Sequence, residues 1–143
     1  MIKLTIPGIP VAKARPRVGR NGHTFTPQKT VNYENLVQYT YMDQAEGQKL
    51  EGPLLIKIDF YFPIPKSYTK KRKEKIRLLK ELHTKKPDID NCIKSITDAL
   101  NKFAYNDDSQ IVRITAAKNY TQKEPRAEVE IEEVKFDAKG MDK

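Results

Sequence analysis

The chain has a single cysteine, Cys92, so it can form no intramolecular disulfide and cannot assemble a thiolate zinc site by itself. That scarcity fits a reducing, cytoplasmic setting. There is no run of 18 or more apolar residues, which argues against a membrane-spanning role. The N-terminus lacks the basic region and long apolar core of a secretion signal; Ile2, Leu4 and Ile6 instead alternate directly with polar residues. No internal repeat and no flexible interdomain linker interrupts the 143 residues, a length that suits one hydrophobic core. Acidic residues are missing from the first 33 positions, whereas Lys3, Lys13, Arg15, Arg17, Arg20 and Lys29 all fall there.

The net charge of +8 is therefore unevenly placed. Residues 66–86 hold ten cations against Glu74 and Glu81, which accounts for the whole excess. Residues 87–111 hold five aspartates against Lys94 and Lys102. An acidic patch between basic flanks suits an enzyme that attracts a polyanion and holds a cation where phosphate is handled. A lysine-rich helix also serves solubility alone. The Arg15-Pro16-Arg17, Arg20 and Asn21-Gly22-His23 segment reads as a rigidified basic loop, and arginines near a turn meet phosphate oxygens bidentately.

Local patterns predict the order of elements. Residues 1–6 alternate as a strand that Pro7-Gly8-Ile9-Pro10 stops. A helix is expected from Gln28 to about Glu46, with Val31, Leu36, Val37 and Tyr39 or Tyr41 facing the core. Leu54, Ile56, Ile58, Phe60 and Phe62 give the strongest strand signal. Ser67 or Thr69 caps a basic helix whose Ile76, Leu79 and Leu82 should seek the core. After Pro87, the residues Ile89, Cys92, Ile93, Ile96, Leu100 and Phe103 recur at helical spacing to about residue 103. Residues 105–109 read as a polar turn, and strands follow at 111–117 and 127–134. The expectation is an α+β fold: one compact domain over residues 1–136, its mixed or antiparallel sheet packed by helices, with a flexible tail at 137–143.

Chemistry is concentrated in Lys85-Lys86-Pro87-Asp88-Ile89-Asp90-Asn91-Cys92-Ile93-Lys94, then Asp98 and Asn106-Asp107-Asp108-Ser109-Gln110. Asp88 and Asp90 flank a helix start, where two nearby carboxylates repel unless protons or a hard cation intervene. Asn91, Lys94 and Asp98 share a helical face. One or both of Asp107 and Asp108 complete the candidate set. Each signal has a bland counterpart, since aspartate is an ordinary N-cap and Asn-Asp-Asp-Ser an ordinary polar turn. Geometry adds a difficulty. A helix from 90 to 103 is about 20 Å long, so the second acidic pair meets the first only through a curled connection or from a second subunit. His23 and His83 do not make a metal site.

The combination Lys86-Pro87-Asp88-Ile89-Asp90-Asn91, Lys94, Asp98-Ala99-Leu100 and Asp107-Asp108 with Gln110-Ile111 resembles the RusA family of Holliday junction resolvases, found in bacteria, their phages and prophages. The resemblance runs from the opening Ile-Pro-Gly segment through the final strand. It implies a homodimeric endonuclease that uses Mg2+, with Mn2+ as a substitute, and cuts four-way DNA junctions symmetrically. The family's essential aspartates match Asp88, Asp90 and Asp108, and its important lysine matches Lys94. Asn91, Asp98 and Asp107 are supporting positions. DNA contacts are expected from Lys13, Arg15, Arg17, Arg20, Lys70, Lys71, Arg72, Lys73, Lys85 and Lys86. The stretch 66–86 departs from the family, being longer than in its best-known member. Two rival readings remain: a noncatalytic DNA-binding protein, and a metal-dependent nuclease acting on flaps, single strands or RNA.

Overall fold

A computed structural model describes residues 1–136; the expected tail at 137–143 lies outside the described residues. Strands β1 (Ile2–Pro7), β4 (Leu54–Pro63), β5 (Ile111–Thr121) and β6 (Arg126–Glu133) form one mixed sheet in the order β1-β6-β4-β5. The β1–β6 and β6–β4 pairs are antiparallel, and β4–β5 is parallel. Parallel neighbours need a long crossover. Here the crossover carries helices α2 (Lys70–Arg77) and α3 (Ile89–Leu100). Helix α1 (Gln28–Ala45) packs against α3 and β1. The result is the α+β domain that the alternation of patterns predicts.

Period-two burial sets the sheet's inner face. Leu54, Ile56, Ile58, Phe60 and Phe62 of β4 are buried, as are Ala127, Val129 and Ile131 of β6 and Leu4 and Ile6 of β1. Burying one such aliphatic or aromatic side chain contributes about 1.5–3 kcal/mol. Cys92, Ile96, Ala99 and Leu100 of α3 close the same core, following their helical spacing. From α1 the core takes Tyr33, Val37 and Tyr41, whereas Tyr39 is exposed and Leu36 packs at the margin.

Several local expectations need correction. Helix α3 ends at Leu100 rather than near 103, because Asn101 turns extended with ψ of 132° and Lys102 then takes positive φ. Tyr105 is not part of a polar turn; it is fully buried. In α2 only Ile76 reaches the interior, and Leu79 and Leu82 are exposed. The helix is two turns long, so its apolar stripe runs out before those leucines arrive. The basic N-terminal loop contains a small hairpin, β2 (Arg17–Val18) paired with β3 (Thr24–Phe25).

Candidate functional site

Asp88 stands at the N-cap of α3 with extended backbone, yet its side chain makes no capping hydrogen bond. It is half exposed and faces the Lys86 ammonium at 3.2 Å. Asp90, in the first turn of the helix, is exposed, and among the described residues its carboxylate has no hydrogen-bond or ion-pair partner. Helix-start geometry favours anions there. The bland N-cap reading of Asp88 therefore fails on its own terms, and two carboxylates are left available at one helix end.

The segment that delivers them is held by Lys118, whose ammonium donates to the carbonyls of Lys85 at 2.7 Å and Pro87 at 2.9 Å. Burial pushes the nearby Cys92 thiol up to about 11; Lys118 opposes that shift, while Asp88 and Asp90 reinforce it. Lys118, Asp88 and Asp90 thus share one neighbourhood. Sequence reasoning missed Lys118, since nothing in its local sequence distinguishes it from the other cations.

The later aspartates divide their work. Asp107 caps the short 3-10 turn Asp108–Gln110: its carboxylate accepts from the Ser109 N–H at 2.9 Å, and Gln110 reciprocates at the Asp107 N–H. Those bonds to Ser109, with Lys102 nearby, hold its carboxyl below the usual range. Asp108 instead lies 2.9 Å from the Tyr105 hydroxyl. Burial pushes its carboxyl above the usual range, and Asp98 and Asp107 add to that push, although Tyr105 works the other way. Asp108 also lines an open cleft of about 300 Å³ with Thr97 and Arg113. Capping occupies Asp107, leaving Asp108 as the carboxylate that a cation would relieve.

One chain keeps the two groups apart. Asp88 precedes Asp98 by about 15 Å of helix rise, and Asp98 is the α3 residue that acts on Asp108. Strand β5 gives a second ruler, because Asp108 precedes its start while Lys118 beside Pro87 lies near its end. Among the described residues, no group of three or more His, Cys, Asp or Glu closes around a point suited to a metal ion. Hard oxygen donors do suit magnesium, which is commonly held by one or two carboxylates together with waters and substrate phosphate. Asp88 and Asp90 meet that description as an open pair.

The cations fall into distinct sets. Lys13 is half-buried between Glu34 at 2.8 Å and Asp98 at 3.4 Å, and its backbone N–H donates to the Asn91 carbonyl. Burial works against its charge, but the two carboxylates outweigh that and raise its pKa. It ties the basic loop to α1 and α3. Arg72 pairs with Glu81 and lies 3.7 Å over the Tyr68 ring. Among the described residues Arg15, Arg17, Arg20, Lys70, Lys71, Lys73 and Lys85 have no ion-pair partner. Arg17, Lys29 and Lys86 share a cleft of about 500 Å³ with Phe62 and Pro87, immediately before Asp88. Lys94 is exposed one turn beyond Asp90.

The Endodeoxyribonuclease RusA family pattern matches residues 7–132. The chain belongs to the RusA family. An uncharacterized protein, YqaN, of Bacillus subtilis (strain 168) is 40% identical over 138 residues, covering 93% of this chain and 96% of that protein. A crossover junction endodeoxyribonuclease, rusA, of Lactococcus phage r1t is 34% identical over 106 residues, 73% of each. RusA membership supports an endonuclease acting in Holliday-junction processing in general terms. The matched span includes both acidic groups and the whole basic stretch 66–86.

Proposed function

We propose that the chain is a magnesium-dependent, structure-selective DNA endonuclease that resolves four-way junctions by paired, symmetric phosphodiester hydrolysis. The observation that carries this reading is the pair Asp88 and Asp90: two exposed carboxylates at a helix start, unused in capping, beside a cleft lined by Arg17, Lys29 and Lys86. Solubility alone gives no reason for two acids unused in capping at a basic rim.

Asp88 and Asp90, with Asp108, would hold Mg2+ or Mn2+. Bound there, the ion would polarise the scissile phosphate and make a water more acidic. Asp88 and Asp90 accept hydrogen bonds from the attacking water and align it with the phosphorus. Water adds at phosphorus in line and the bond to the 3′ oxygen breaks, leaving 5′-phosphate and 3′-hydroxyl ends. Lys94 offsets the charge that grows on the phosphoryl oxygens. Lys118 positions the Asp88 segment. Arg15, Arg17, Arg20, Lys70, Lys71, Lys73, Lys85 and Lys86 meet phosphates, with Asn91 and Asp98 in support.

A homodimer answers two needs. Symmetric resolution requires two centres related by a twofold axis. It also offers Asp108 of one protomer to Asp88 and Asp90 of the other. Strand β5 is an edge strand, and antiparallel pairing of two copies along it would bring the start of one against the end of its partner.

The separation of the acidic groups within one chain favours the rival reading, a noncatalytic DNA-binding protein. Incubation with a fixed four-way junction, a matched duplex, a flap, a single strand and RNA, each with magnesium, distinguishes them. Paired nicks confined to the junction support resolution. Selective cleavage of flap or RNA points to another nuclease, and junction binding without cleavage points to the rival.

A further inference from the structure

Helix α2 ends in a way that its own fold does not reward. Leu78 is the C-cap, the Leu79 N–H donates to the Ile76 carbonyl at 3.0 Å, and the Lys80 N–H donates to the Lys75 carbonyl at 2.8 Å. That pair of bonds is a Schellman motif, which places its next residue in the left-handed region and favours glycine there. The residue is Leu79, with φ of 59° and 77% of its surface exposed. Leu78 and Leu82 beside it are 48% and 62% exposed. A leucine here carries both backbone strain and unburied apolar surface.

The surroundings select what could cover it. Glu74 pairs with Arg77 and Glu81 with Arg72, so both acids of the segment are already neutralised. Lys70, Lys71, Lys75 and Lys80 are exposed, and none has an ion-pair partner among the described residues. A second copy of so basic a surface is repelled. A bilayer would need an apolar stripe along the helix, but α2 is eight residues long, with Ile76 turned inward and the leucines gathered beyond its end. An apolar point ringed by cations instead matches an opened base step between phosphates, where side chains such as leucine act as wedges.

The knob is rigidly joined to the aspartates. His83 stacks on Phe62 of β4 at 4.4 Å and meets Tyr120 of β5 at 4.8 Å. Two residues before Tyr120, Lys118 grips the carbonyls ahead of Asp88.

Resting on the nuclease reading above, we infer that Leu79, supported by Leu78 and Leu82, is a wedge that enters the unstacked base step at a DNA branch point while Lys75 and Lys80 hold the flanking phosphates. It is a junction-distorting contact outside the reaction centre.

The test uses the full chain in EDTA, with a four-way junction carrying 2-aminopurine at its branch point, a matched duplex, and phosphatidylserine vesicles. Leu79→Gly removes the wedge and supplies the residue that the Schellman motif prefers; Leu79→Asn does the same with the other residue that tolerates this conformation. Both variants should melt no lower than the parent, bind the junction about tenfold more weakly, bind the duplex unchanged and lose the rise in 2-aminopurine fluorescence. Lys80→Gln should weaken junction and duplex alike. Unchanged junction affinity and fluorescence in the Leu79 variants, with the parent still cleaving junctions in magnesium, overturns the wedge and leaves the nuclease reading intact. Failure of the parent to bind junctions overturns both. Vesicle binding that depends on Leu79 assigns the knob to a lipid surface and overturns the wedge.

Discussion

The hydroxyl of Tyr105 lies 2.9 Å from Asp108 Oδ1 and 3.0 Å from the Thr97 carbonyl oxygen. It carries one proton, so it donates to one of these acceptors at a time. This contact fixes the direction of the Asp108 carboxylate from inside the core, through a tyrosine that is fully buried. Replacing Tyr105 with Phe keeps the packing and removes the donor. Stability should fall by about 1 kcal/mol, and cleavage should require more magnesium without any change in junction affinity. Denaturant unfolding and a magnesium titration of the cleavage rate measure the two effects separately.

Burial and repulsion from Asp98 and Asp107 disfavour the Asp108 charge more than Tyr105 and Lys102 support it. Asp108→Asn removes the charge at nearly constant shape. In metal-free buffer this variant should melt at a higher temperature than the parent, and in magnesium it should cleave the junction far more slowly. A lower melting temperature would show that the carboxylate serves folding instead.

Asp90 has no side-chain partner among the described residues to lose. Asp90→Asn should slow junction cleavage by at least about a hundredfold and leave the melting temperature nearly unchanged. Junction binding in EDTA should persist or tighten, because a charge that repels phosphate is gone. Cleavage at the parental rate in magnesium would sink the proposed role of this carboxylate.

Sharing of one centre between two protomers has a distinctive signature. Asp90→Asn and Asp108→Asn proteins are each inactive alone on this reading. When subunits exchange, a mixed dimer regains one centre with both native aspartates, while its second centre carries both changes. Mixing should restore about a quarter of the parental nicking, as single nicks instead of paired cuts. Centres built within single chains would show no restoration.

Lys118 acts through the chain it holds. Lys118→Met leaves the carbonyls of Lys85 and Pro87 without their charged donor, at a cost of about 1–3 kcal/mol. Because the loosened segment delivers Asp88, cleavage should fall about tenfold, with duplex affinity reduced only slightly. Rescue by Lys118→Arg, which retains a charged donor, separates positioning from general destabilisation.

Much of this protein was legible in its sequence because the relevant signals are local and periodic. Alternation in Leu54–Phe62 and Ala127–Ile131 marks strands whose inner residues are buried, and the spacing from Cys92 to Leu100 marks the helix that covers them. The Asp88, Asp90 and Asp107-Asp108 groups were visible as acids between basic stretches. Local sequence did not decide which carboxylates are available. Asp88 and Asp107 both look like caps, and only the hydrogen bonds distinguish the first, which makes no capping bond, from the second, which does. It also placed Tyr105 in a turn and sent Leu79 inward, since a residue's depth depends on where other elements end. Tertiary structure alone brings Lys118 to Pro87 and Lys13 to Asp98 across long sequence separations. It also sets the acidic groups at opposite ends of α3, because a rigid helix fixes their separation whatever their proximity in sequence.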